Sequence, residues 1–201
     1  MLRLAAILAM TAGVLGWFGY LRLVGKGPFV PPAARHLRAM KDRLTAPDSL
    51  TAVDFAWMTA LPRLQTPAEY APLERRAVSL EAYVETFFRQ SDGDFHLELV
   101  AHDPGNHPQH PRHVSAEITP QWHRGSSGWR YERLAAALRP IKDQGGPWDT
   151  APRRVRLSGW LLYDYEYEDL PPRRLTNWEI HPVTRIEVWD DSLVAYREFP
   201  R

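Results

Sequence analysis

The chain has 201 residues, 44% hydrophobic and 11% aromatic, which gives room for one moderate domain plus extra segments and excludes a disordered chain. It contains no cysteine, and therefore no disulfide, thiolate zinc site, thiol nucleophile or acylated lipoprotein cysteine. The net charge of +1 is uneven: residues 1–73 hold 8 Lys/Arg against 4 Asp/Glu, and residues 74–201 hold 17 against 20, a balance ill suited to neutralising phosphates.

Leu4 to Leu21 reads LAAILAMTAGVLGWFGYL, 18 residues without a charge. At 1.5 Å per residue that length reaches across ~30 Å of hydrocarbon. Trp17 and Tyr20 stand at its far end, where amphipathic rings prefer the interface, and Arg22 and Lys26 follow. The expectation is an N-terminal transmembrane helix over residues 1–26 that tethers a single-pass protein to a bacterial inner membrane. It reads as an uncleaved signal anchor, because Pro32-Ala33-Ala34 is a poor cleavage site. Topology signals conflict. The short N-terminus with Arg3 sends the domain outward, whereas Arg22, Lys26, Arg35, Arg38 and Lys41 favour the cytoplasm; an extracytoplasmic domain is expected.

Residues 27–73 read as a Pro-rich linker with short helices. A basic helix is expected within 27–47, and a second one in LTAVDFAWMTAL, capped by Asp48. Phe55, Trp57, Met58 and Leu61 are expected to pack onto the domain, and Pro62, Pro67 and Pro72 to return the chain to extended structure. From residue 77 the period becomes two. Val78, Leu80, Ala82, Val84, Thr86 and Phe88 define one face of a first strand. Ser91-Asp92-Gly93-Asp94 signals a turn, and Phe95, Leu97, Leu99 and Ala101 a second strand with His96 and Glu98 opposite. Val114, Ala116 and Ile118 make a third strand, facing away from Ser115 and Glu117. WRYERLAAALR (129–139) is a helix, and Val155 to Tyr163 and Trp178 to Val188 supply the last two strands.

Three strands, a helix and two strands is the connectivity of the OB-fold, a five-stranded Greek-key barrel, so residues 74–201 are expected to be mainly β and OB-fold-like. The pieces DGDFHLEL (92–99), RVRLSGWLLYD (154–164) and NWEIHPVTRIEV (177–188) resemble an uncharacterised family of bacterial OB-fold-like domains. In that family a D-G-D-x-H-L turn-strand and an E-x-H-P-V strand recur. The resemblance covers roughly residues 77–189; it implies the fold and carries no activity.

An OB barrel offers its ligand surface on the outer face of strands two and three and the adjoining loops. Here that surface presents His96, Glu98, Ser115 and Glu117, and the loop YDYEYEDLPPRR (163–174) adds Tyr165, Tyr167, Arg173 and Arg174. Tyrosines with a charged rim suit a protein partner over 163–176, whereas the surrounding carboxylates disfavour single-stranded nucleic acid. His96, Glu98, Glu117 and His181 are residue types that suit a divalent ion. A structural role, with each histidine bonded to a loop carbonyl near Asp94 or Pro182, is favoured over ligation. No catalytic motif is present, so no catalytic residue, metal or cofactor is assigned. The expected function is a membrane-anchored binding or scaffolding module for a protein or small ligand. The alternatives are a metal-dependent hydrolase built on His96, His181 and nearby carboxylates, and single-strand binding.

The run HPQHPRH (107–113) has a histidine at every third position. Its prolines favour polyproline II, whose rise of ~3.1 Å per residue sets successive histidines ~9 Å apart. That is too far for one ion with bonds of ~2 Å. His107, His110 and His113 are therefore expected in an exposed loop that gains charge as pH falls through ~6.5 and tolerates serine at all three positions.

Overall fold

The computed structural model describes residues 30–102, 112–138, 153–166 and 173–201. The anchor expected over 1–26, together with His107, His110 and Tyr167, lies outside these residues. Among the described residues no helix is long and apolar enough to cross a membrane.

The chain is mainly β. Its strands are β1 (Thr51–Val53), β2 (Ala77–Arg89), β3 (Phe95–Val100), β4 (Val114–Ile118), β5 (Arg153–Tyr163), β6 (Trp178–Asp190) and β7 (Ala195–Glu198). Antiparallel pairing joins β2 to β3 and β3 to β4, β4 runs parallel to β6, and β6 and β5 lead back antiparallel to β2. Five strands thus close into a barrel whose connectivity is consistent with an OB-like fold. β1 adds in parallel to β2, and β7 adds to the far end of β6.

Alternation explains which residues fill the barrel. Phe95, Leu97 and Leu99 point in from β3, Val114, Ala116 and Ile118 from β4, and Trp178 and Ile180 from β6, all buried. Each fully buried large apolar side chain contributes roughly 1.5–3 kcal/mol. Between β4 and β5 come α4 (Pro120–His123), which was not expected, and α5 (Tyr131–Leu138), which sets Leu134 and Leu138 into the same core.

On β2 the expected phase holds only as far as Val84. A register slip between Val84 and Thr86 exchanges the two faces. Phe87 is therefore buried in place of Phe88, which is 39% exposed, and Glu85 at the slip is buried beneath Arg173. A uniform period of two could not have shown this.

The segment before the barrel is folded against it. α1 (Pro32–Lys41) begins with proline at its first turn, where the missing N–H costs nothing, and ends with Arg38 and Lys41 at the negative end of its dipole. It packs on β5 and β6. Asp54, rather than Asp48, caps the next helix, α2 (Phe55–Ala60), by accepting from the Trp57 N–H at 2.7 Å, and residues 51–53 pair as a strand instead. Pro67 and Pro72 do not extend the chain. Pro67 opens α3 (Pro67–Glu74), Pro72 lies inside it, and Glu69 caps its start by accepting from the Thr66 N–H at 2.8 Å. Met58 and Tyr70 enter the core, and the Tyr70 ring stacks on Tyr163.

At the β5–β6 seam the register slips on either side of Gly159. A Cβ there would collide with the Pro182 carbonyl oxygen, so the two backbones meet only because this residue is glycine.

Candidate functional site

The barrel topology brings separate polar positions onto one outer surface. β3 and β4 set His96 opposite Glu117 and Glu98 opposite Ser115. β4 then places Ala116 beside Ile180 of β6, so Glu117 shares an outward face with Glu179 and His181. The second and fifth barrel strands are not neighbours, but the third lies between them and joins His96 to His181 through Glu117.

His181 is fully buried and sits among carboxylates. Its Nδ1 donates to Glu179 Oε2 at 3.1 Å, Glu117 Oε2 lies at the same distance, and its Nε2 is 3.5 Å from Asp94 Oδ2. The partners are carboxylates, not the loop carbonyls expected from sequence. Lys41, from the last turn of α1, reaches over this group, with Nζ 3.9 Å from Glu117 Oε2. Arg174 closes the other side, bonding Glu179 Oε1 at 2.6 Å and lying 3.8 Å from Asp164 Oδ2.

The charges set one another's protonation. Burial opposes the His181 imidazolium, but Glu117 and Glu179 outweigh it and raise the pKa. Burial likewise opposes the Glu117 carboxylate, yet His181, His96 and Lys41 hold it well below the usual range. Asp94 goes the other way. Burial pushes it up to about 7, with Glu117 adding to the effect and His181 only partly offsetting it. Burial and Glu179 push Asp164 up to about 7 as well. Asp94 and Asp164 are therefore the members of the cluster whose protonation changes near neutral pH.

Beside it lies a more open group. A pocket of about 520 Å³ is lined by Phe88, His96, Glu98, His113, Ser115 and Arg174 among others. Glu117 Oε1 accepts from His96 Nδ1 and from Gln90 Nε2, both at 2.7 Å, which fixes the orientation of the His96 ring. His113 is not in an exposed loop. It is buried, because the parallel ladder continues into it: its N–H donates to the Arg173 carbonyl and its carbonyl accepts from the Leu175 N–H. Burial pushes its imidazole down to about 4, against the pull of Glu98, so it stays neutral where an exposed histidine would begin to charge. The expected tolerance of serine at position 113 is therefore withdrawn. His113 Nδ1 and Ser115 Oγ are buried with no hydrogen-bond partner among the described residues.

Of the loop residues, Arg173 bonds Glu85 at 2.6 Å and Glu98 at 3.1 Å, and Tyr165 packs partly buried against the core. Both arginines are thus spent on internal carboxylates rather than presented as a charged rim. A larger groove of about 1030 Å³ lies across the β1–α2 segment and the outer face of β2 and β5. Its charges are already matched, Arg156 with Glu81 and Glu187, and Arg185 with Glu187. Its ion pairs are internal, whereas the smaller pocket gathers two histidines, a glutamate and a buried serine, so the smaller pocket is the better candidate.

The sequence already placed Asp94 and Asp164 in the loops beside this surface, but His113, Glu179 and Lys41 were missed as members of it. Glu179 stands two residues before His181, the spacing that shares a strand face, and could have been found. Lys41 carries no such signal. No protein-family model and no curated protein matches the chain.

Proposed function

We propose that the protein is a membrane-anchored, OB-like binding module of a bacterial inner membrane, with a small ligand seated in the pocket over β3 and β4. One observation carries this reading: polar side chains on strands converge on a 520 Å³ pocket, and two of their buried atoms have no partner among the described residues. A small ligand is favoured over a protein at 163–176 because Arg173 and Arg174 are already bonded to Glu85, Glu98 and Glu179. Nucleic acid is disfavoured by Asp94, Glu98, Glu117 and Glu179 on the same face. The second reading, a metal-dependent hydrolase, draws on Asp94, whose pKa of about 7 suits a general acid or base.

The full chain in detergent, screened by thermal unfolding against small organic acids, nucleotides and sugars in the presence of a chelator, should show compounds that stabilise it. A ligand at 100 times its Kd contributes about 2.7 kcal/mol, or roughly 5–10 °C for a chain of this size. Phe88→Ala, on the pocket rim, should abolish those shifts. Shifts that all survive this change would move the site elsewhere.

The anchor has its own test. A C-terminal alkaline phosphatase fusion should be active and recovered with membranes. Recovery in the soluble fraction would remove the anchor, and activity of a cytoplasmic reporter instead would reverse the topology.

A further inference from the structure

We infer that His96, Glu98 and His113 form a binding site for one divalent transition-metal ion of the zinc class, opening into the pocket over β3 and β4. The inference deepens the binding-module reading and rests on its choice of pocket. One ligand atom from each of the three residues lies within 4.8 Å of the others, and Glu98 Oε1 is 3.8 Å from His113 Nε2. Ligands at ~2.0–2.1 Å from a shared ion lie roughly 3–3.5 Å apart, so a contraction of about 1 Å, within reach of small rotations about side-chain bonds, would complete the set. Two imidazoles and one carboxylate, with the remaining positions facing a cavity, suit zinc or another late divalent metal, and they suit calcium or magnesium poorly.

The residues behind the three ligands are those such a site needs. Glu117 accepts from His96 Nδ1; a carboxylate can only accept, so that nitrogen carries the proton and Nε2 is the one left for a metal. Arg173 bonds Glu98 Oε2 at 3.1 Å and leaves Oε1 toward His113. His113 is held by backbone on both sides, and its Nδ1 makes no hydrogen bond among the described residues. The nitrogen that faces Glu98 Oε1 is the other one, Nε2, and it is Nε2 that would take the metal.

The neighbouring trio Asp94, Glu117 and His181 also brings ligand atoms within 4.8 Å of one another. His181 Nε2 and Glu117 Oε2 likewise make no hydrogen bond among the described residues, so the two trios differ in their charges rather than in unpaired atoms. Both His181 nitrogens lie 3.1–3.5 Å from carboxylate oxygens, and the Lys41 ammonium stands 3.9 Å from Glu117 Oε2, where an ion would meet a like charge. In the outer trio the nearest cation, Arg173, is bound to the far oxygen of Glu98 and shared with Glu85.

The full chain in detergent, stripped with a chelator and dialysed, should be titrated with Zn²⁺ by calorimetry and with Co²⁺ by visible absorption. One equivalent should bind, and Co²⁺ should develop d–d bands. Outer partners of metal ligands are worth 10–100-fold in affinity, so His113→Ala and Glu98→Gln should each weaken binding by about 100-fold or more. Far-UV circular dichroism would show that both variants are folded. Absence of stoichiometric binding, or binding that both variants retain while Asp94→Asn abolishes it, would overturn the site. If zinc fails to bind while the Phe88-dependent ligand shifts persist, the metal site falls and the binding module stands. Zinc binding in a chain with no such shifts would keep the metal and remove the small organic ligand.

Discussion

Replacing Arg174 with alanine is expected to destabilise the chain by about 3–5 kcal/mol, measured by urea unfolding of the full protein in detergent. The guanidinium bonds Glu179 Oε1 at 2.6 Å and the Thr176 carbonyl at 2.9 Å, and it stands 3.8 Å from Asp164. Glu179 is almost completely buried and holds a pKa below its ordinary value: burial opposes this, and Arg174 is the largest influence in its favour. Without the arginine, two carboxylates would face each other with only Lys41 and His181 to balance them. Arg174→Lys should recover part of the loss, since it restores the charge but not the fork that spans three acceptors. A cost under ~1 kcal/mol for Arg174→Ala would show that solvent reaches Glu179, and the buried network would then have to be abandoned.

His181→Ala should cost about 3 kcal/mol at pH 6, with a pH dependence that identifies the cause. In the folded chain Glu117 and Glu179 overcome the effect of burial and raise the His181 pKa above the unfolded value of ~6.5. Its stabilising contribution is therefore complete below pH ~6.5 and is lost as pH rises through the folded value. The gap between wild type and His181→Ala should narrow at alkaline pH, as followed by thermal unfolding across the pH range. A gap of constant size would mean that the imidazole serves by its shape alone. Asp94 acts in the same sense at lower pH. Its carboxyl is raised to about 7, so the folded state holds a proton that the unfolded state releases near pH 4, and stability drifts downward between those values.

The barrel was legible because long stretches of its strands follow a two-residue period and because the helix falls between the third and fourth of them. What escaped were places where one local rule yielded to another. The slip after Val84 reverses the faces of β2 without any glycine or proline to announce it. Pro67 and Pro72 look like helix breakers, yet one stands at a first turn, where proline is tolerated, and the other lies in a helix of only 8 residues held down by Tyr70. Asp54 prevailed over Asp48 as a cap because residues 51–53 found an edge of β2 to pair with.

The surface was partly legible. His96, Glu98, Glu117 and His181 were all identified by type and strand face, but their meeting depends on the parallel pairing of β4 with β6, a non-local contact that periodicity does not encode. His113 was misread for a related reason. Proline spacing suggested a self-contained loop, while its backbone is drawn into the ladder by residues 173–175.

The packing of α1 bears on how the chain comes to be folded at all. Lys41 meets Glu117, and the helix that carries it rests on β5 and β6, more than 100 residues further along. Tyr70 waits for Tyr163, and His36 for Glu74, which in turn accepts from the Tyr163 N–H at 3.0 Å. The docking surface for α1 is therefore complete only when β5 and β6 are in place. Contacts of such long reach slow the search for the native state. Until α1 docks, Glu117 lacks the Lys41 ammonium, so a helix that precedes the barrel in the chain supplies a charge that the barrel's own strands do not carry at that place.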